Sequence, residues 1–185
     1  MQWTNTTERY GALSIAMHWL MLLLIAAVYV CADLREIFPK GSDLREGMKV
    51  WHNMLGMLVF ALVWLRLAFL LLGTKPADDT ASPAWQQQAA RLMHVALYAL
   101  MIGLPLTGWL ALSAAGKPIP FFGLDLPPLM GANETIEDVA EEIHEFAGAA
   151  GYALIGLHAA AALFHHYIMR DSTLLRMLPR RRPAR

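Results

Sequence analysis

Residues 146–169 read FAGAAGYALIGLHAAAALFHHYIM, twenty-four consecutive positions without one Asp, Glu, Lys or Arg. A helix needs about 20 apolar residues to cross the hydrocarbon core of a bilayer, so this stretch predicts a membrane span. Three more stretches of that kind precede it, at 10–32, 50–73 and 92–116, and Arg66 is the one formal charge within them. Of the 185 residues 57% are hydrophobic and 16% charged, where a soluble domain carries about a quarter charged residues; the mean hydropathy is +0.40. These values exclude a soluble globule and a disordered chain. A membrane β-barrel is excluded as well, because its strands are about ten residues long and alternate in polarity. The reading is an all-α, antiparallel four-helix transmembrane bundle, a single domain over 1–185.

Charge sets the expected orientation. With both termini and the 74–91 loop on one side, that side holds ten Lys/Arg against four acids, and the other holds five against eleven. The positive-inside rule then puts both termini in the cytoplasm. Residues 180–182 are all Arg, and beside a membrane exit they read as a lipid-headgroup anchor rather than a nucleic-acid contact. The single cysteine, Cys31, excludes an internal disulfide, and the chain has no C-x-x-C-H haem attachment site. The first span is longer than an apolar signal core of roughly 7–15 residues, so it is read as retained. Polar residues 4–7 are expected to cap it. Pro105 is expected to interrupt the third span, and the acidic run 134–145 to begin a helix feeding the fourth.

All seven histidines fall in a span or near its end, where ionisable groups are costly and read as functional by default. On the fourth span His144 and His158 are fourteen residues apart. That is about 21 Å along a helix and within roughly 40° of the same face. Gly148, Gly151 and Ile155 lie between them, and the glycines leave room for a flat, bulky group. By depth His52 is level with His144 near the outer face, and His18 is level with His158 near the inner one. Two level His–His pairs suit the axial ligands of two b haems. Zinc or copper would want a third ligand nearby, which the inner pair lacks; a proton or ion pathway through the histidines is the other alternative.

His94 is the rival of His18 for the place opposite His158. Otherwise His94, His165 and His166 form a protonatable rim suited to a quinone head group, or are simply interfacial. Arg66, fourteen residues after His52, faces the inner level as a propionate or quinone contact, or snorkels to the headgroups. Arg45 and Lys49, just before His52, would neutralise outer propionates or a small anion, or remain solvated.

SIAMHW at 14–19, VWH at 50–52, HE at 144–145, GLHAAAALFHHY at 156–167 and the tail DSTLLRMLPR at 171–180 resemble the bacterial cytochrome b561 family, over nearly the whole chain. The resemblance implies a di-haem inner-membrane protein with His18, His52, His144 and His158 as haem-iron ligands. In the superoxide-oxidising branch of that family, it implies oxidation of superoxide to dioxygen on the periplasmic side, with electrons passed to ubiquinone. The acidic outer face departs from what would steer an anion. It fits instead an electron-relay subunit that takes electrons from a redox protein partner. A haem-free bundle handling protons is the third reading.

Overall fold

The computed structural model describes residues 2–7, 9–74, 76 and 83–179. The loop residues Lys75, Asp78 and Asp79 and the basic positions from 180 onward, read above for orientation and anchoring, lie outside the described residues. Four helices follow in order: α1 (Ala12–Arg35), α2 (Asp43–Leu72), α3 (Ala84–Ala114) and α4 (Glu134–Phe164), with α4 continued by a π-helical turn over His165–Met169. Each is long and apolar enough to cross a membrane. The core is slim, centred on Met21, Val59, Val63 and Met101, while Leu23, Leu72, Val95 and Leu157 point outward. So much exposed apolar surface suits a lipid environment, where packing rather than burial from water holds helices together.

Helices α2, α3 and α4 begin well before the charge-free stretches at 50, 92 and 146. Hydropathy reports only the part of a helix that lies in lipid, whereas caps decide where a helix starts. Ser42 accepts the Arg45 N–H at 3.3 Å, and Asn133 Oδ1 accepts the Ile136 N–H at 3.1 Å. Asp43, Glu46, Glu134 and Glu137 in the first turns then favour those N-termini. The acidic run does open α4 as expected. In the 4–7 stretch it is Asn5 that serves α1, its Oδ1 accepting from Gly11 N at 2.9 Å and Ser14 Oγ at 2.7 Å. The expected interruption at Pro105 is not found: α3 runs through it as one helix. Proline withholds its donor from the Met101 carbonyl one turn back; one turn on, Thr107 Oγ donates to the carbonyls of Gly103 and Leu104 at 3.0 and 2.9 Å.

Helix α1 packs along α2, α2 along α3 and α3 along α4. Both termini and the α2–α3 connection therefore share one end, the terminal end, and the other two connections share the loop end. Asn133, the cap of α4, donates its N–H to the carbonyl of Ala114, the last residue of α3, at 2.8 Å. Between them a hairpin, β1 (Pro120–Phe121) and β2 (Leu124–Asp125), turns through Phe122 and Gly123, both at positive φ, and sets Phe122 against Trp51 of α2. At the terminal end Arg170, in the left-handed region at φ 55°, stops the helix. The tail then folds back, and the Met177 carbonyl accepts from Trp19 Nε1 at 2.7 Å.

Candidate functional site

At the loop end His52 of α2 and His144 of α4 face each other, ring centres 5.9 Å apart and planes at 71°. His52 Nδ1 donates to the Val28 carbonyl at 3.1 Å, and His144 Nδ1 donates to the Leu104 carbonyl at 2.9 Å, with Thr107 Oγ at 3.2 Å. In a neutral imidazole those bonds leave Nε2 unprotonated and free to ligate. Gly108 of α3 closes the back of the pair, since a Cβ there would lie 3.1 Å from His144 Cε1. An apolar cavity lined by Ile25, Val28, Gly56, Leu104 and others opens beside it. Gly148 faces open space, as expected, but the room at Gly151 is taken by Tyr29.

At the terminal end His158 has two partners. His18 stands 6.3 Å away at 62° and His94 5.6 Å away at 69°, centre to centre. The expectation that His94 sits shallower than His18 fails, because α3 starts at Ala84 and carries His94 to the level of His158. Arg66 reaches His18 Nδ1 at 2.9 Å and lies over the Tyr98 ring at 5.8 Å. A guanidinium only donates, so His18 Nδ1 accepts, and its proton sits on Nε2.

The remaining expected residues have partners of their own or none among the described residues. His165 Nδ1 pairs with Asp171 of the tail. Burial would raise the Asp171 carboxyl, but hydrogen bonds from His165 and Thr173 outweigh it and hold the group below the usual range. His166 packs against Tyr167, and its buried Nδ1 has no hydrogen-bond partner among the described residues.

Arg45 is committed to the α1–α2 turn. It donates to the carbonyls of Arg35 at 2.8 Å and Phe38 at 3.1 Å, and pairs with Glu36, whose carboxyl that bond holds below its usual range. Arg45→Ala is expected to cost about 1.5–3 kcal/mol, the worth of charged hydrogen bonds, read as a lower thermal midpoint by circular dichroism. Lys49, 42% exposed, pairs with Glu46 at 2.7 Å.

Residues 9–180 match the family model described as prokaryotic cytochrome b561. The chain belongs to the prokaryotic cytochrome b561 family. It is 41% identical over 175 residues to Cytochrome b561 homolog 1 of Escherichia coli, covering 95% of this chain and 99% of that one. It is 35% identical over 176 residues to the Probable superoxide oxidase CybB of Yersinia pestis (95% and 98%), and 30% identical over 179 residues to Cytochrome b561 homolog 2 of E. coli (96% and 95%). This b561 cytochrome is thus a multi-pass inner-membrane electron-transfer protein, and membership implies haem b.

The loop-end pair fits that cofactor. Two imidazoles on one metal ion, at about 2.0–2.1 Å per bond, stand with ring centres roughly 6 Å apart, and both Nε2 atoms are available. At the terminal end the His18–His158 spacing fits equally well, but ligation through His18 Nε2 requires that its proton leave and Arg66 release Nδ1. Among the described residues no group of three His, Cys, Asp or Glu side chains is placed as a cage for a metal ion. Sequence reasoning missed the two carbonyls that set the loop-end tautomers, Val28 and Leu104, because backbone acceptors leave no mark in a sequence.

Proposed function

We propose that this b561 cytochrome binds two b haems, one on His52 and His144 and one on His18 and His158. In this reading it oxidises superoxide at the loop end and reduces ubiquinone at the terminal end, which faces the cytoplasm. The observation that carries the two-haem reading is the facing of histidines at both ends of α4, with Nε2 free at the loop end. The superoxide reading draws support from the Y. pestis relative. When bound, haem b supplies reversible one-electron oxidation and reduction. Over one cycle two superoxide anions and a quinone take up two protons and yield two dioxygen molecules and a quinol.

The chain's residues hold, orient and charge-match. Val28 and Leu104 carbonyls lock the loop-end imidazoles in the ligating tautomer. Arg66, freed from His18, pairs with a propionate carboxylate. His94 and His166, whose Nδ1 has no hydrogen-bond partner among the described residues, supply protonatable nitrogens for a quinone head group, with His165 held at the rim by Asp171. Lys49, whose side chain is 42% exposed, precedes His52 by three residues on α2, whereas Arg45 is engaged in the turn; propionate or anion contact at Arg45 would require it to leave Glu36.

A second reading, a relay that docks a basic redox protein, is favoured by the acids Glu134, Asp138, Glu141, Glu142 and Glu145, all exposed on α4 at the loop end. Rapid mixing of the oxidised cytochrome alone with superoxide separates the two. The expected result is fast haem reduction, slowed about fourfold by Lys49→Glu at low salt, the effect of two charge units at roughly 10 Å in water, with a weakened salt dependence. Slow reduction without a partner sinks the superoxide reading and leaves the relay.

A further inference from the structure

We propose that Tyr29 is a positioning residue for the loop-end histidine pair, and that position 151 is glycine in order to admit its hydroxyl. The inference rests on the reading of His52 and His144 as haem ligands, and goes beyond it by naming what keeps them face to face. Helix α2 carries His52 and α4 carries His144, and the helix-to-helix packing runs α1–α2, α2–α3, α3–α4, so the two lie across a diagonal. Helix α1 reaches both through consecutive residues, Val28 by its backbone carbonyl and Tyr29 by its side chain. The Val28 carbonyl takes the His52 Nδ1–H at 3.1 Å. The Tyr29 hydroxyl donates to the Gly148 carbonyl at 2.9 Å, one turn along α4 from His144.

The same helix faces continue the join for another turn. Tyr29 leans on Tyr152, ring centres 4.3 Å apart, and the Tyr152 hydroxyl donates to the Asp33 carboxylate, both oxygens at 2.8 Å. On α4 the line is His144, Gly148, Tyr152, and on α1 it is Tyr29, Asp33, each step one i,i+4 turn. A methyl group at 151 would overlap the Tyr29 hydroxyl oxygen and press within 3.2 Å of Leu100 Cδ1. Helix α1 thereby acts as a jig: whatever displaces Tyr29 from α4 also displaces the Val28 carbonyl that orients His52.

The test compares Tyr29→Phe, Gly151→Ala and the double variant in the full haem-loaded chain. Its readouts are haem per chain, the low-spin electron paramagnetic resonance signal of each centre, and each midpoint potential. Tyr29→Phe is expected to keep two haems, move the signal and potential of one centre only, and speed loss of that haem to a scavenger about fivefold, the effect of one hydrogen bond. Gly151→Ala is expected to move the same centre further, and to do so less when the hydroxyl has already been removed. If both centres move alike, or Gly151→Ala acts equally in both backgrounds, Tyr29 is general packing and the proposal fails. Two haems with unmoved spectra overturn the proposal alone, whereas a single haem in the unaltered chain overturns the two-haem reading together with it.

Discussion

His144→Ala is expected to cut the haem content of the purified cytochrome from two per chain to one, and to abolish reduction by superoxide. The cause is local. His144 offers Nε2 because its Nδ1 is held by the Leu104 carbonyl at 2.9 Å, and Gly108 leaves no side chain to replace it. Alanine removes half of the ligand pair and leaves His52 without a partner within reach. The terminal-end cluster is about 21 Å away along α4, so its spectrum should persist. His52→Ala should behave in the same way. Pyridine haemochrome quantitation against protein mass measures the ratio directly; two haems surviving in His144→Ala would remove His144 from the ligand set.

The second large effect is expected at the terminal end, where three imidazoles compete. His158→Ala and His18→Ala should each lose the haem that His144→Ala keeps, while His94→Ala should retain two haems and slow their reoxidation by ubiquinone about a hundredfold, within the usual range for a general acid or base. The spacing supports this assignment: His18 stands 6.3 Å from His158 and His94 only 5.6 Å, and the wider gap better accommodates an iron with a normal bond to each ring. The measurement is haem content together with the rate of reoxidation by added ubiquinone after reduction. Loss of a haem in His94→Ala with its retention in His18→Ala would exchange the two roles.

Much of this is legible in the sequence, and the reason is geometric. Depth and face along one helix depend only on 1.5 Å and 100° per residue. The fourteen-residue spacings His144 to His158 and His52 to Arg66 therefore placed all four side chains at the right ends, and Arg66 does meet His18. The level of His94 was misjudged for an equally definite reason. Its helix begins among Ala84, Trp85 and three glutamines, a segment that is helical but too polar to register as a span.

What folding alone decided concerns partners that come from elsewhere in the chain. Arg45 looked like a free cation before His52, yet the α1–α2 turn closes around it and uses its donors on two backbone carbonyls and Glu36. Gly148 and Gly151 looked alike, and only the position of α1 shows that one faces open space and the other a tyrosine hydroxyl. The four spans, their antiparallel order and the two levels of histidines were determined by the sequence by itself, because hydropathy and helical periodicity are properties of a single segment. Which nitrogen of each histidine is free, and which residue stands third beside His158, was decided by tertiary structure. A hydrogen bond to a carbonyl on another helix exists only once the register between the two helices is set.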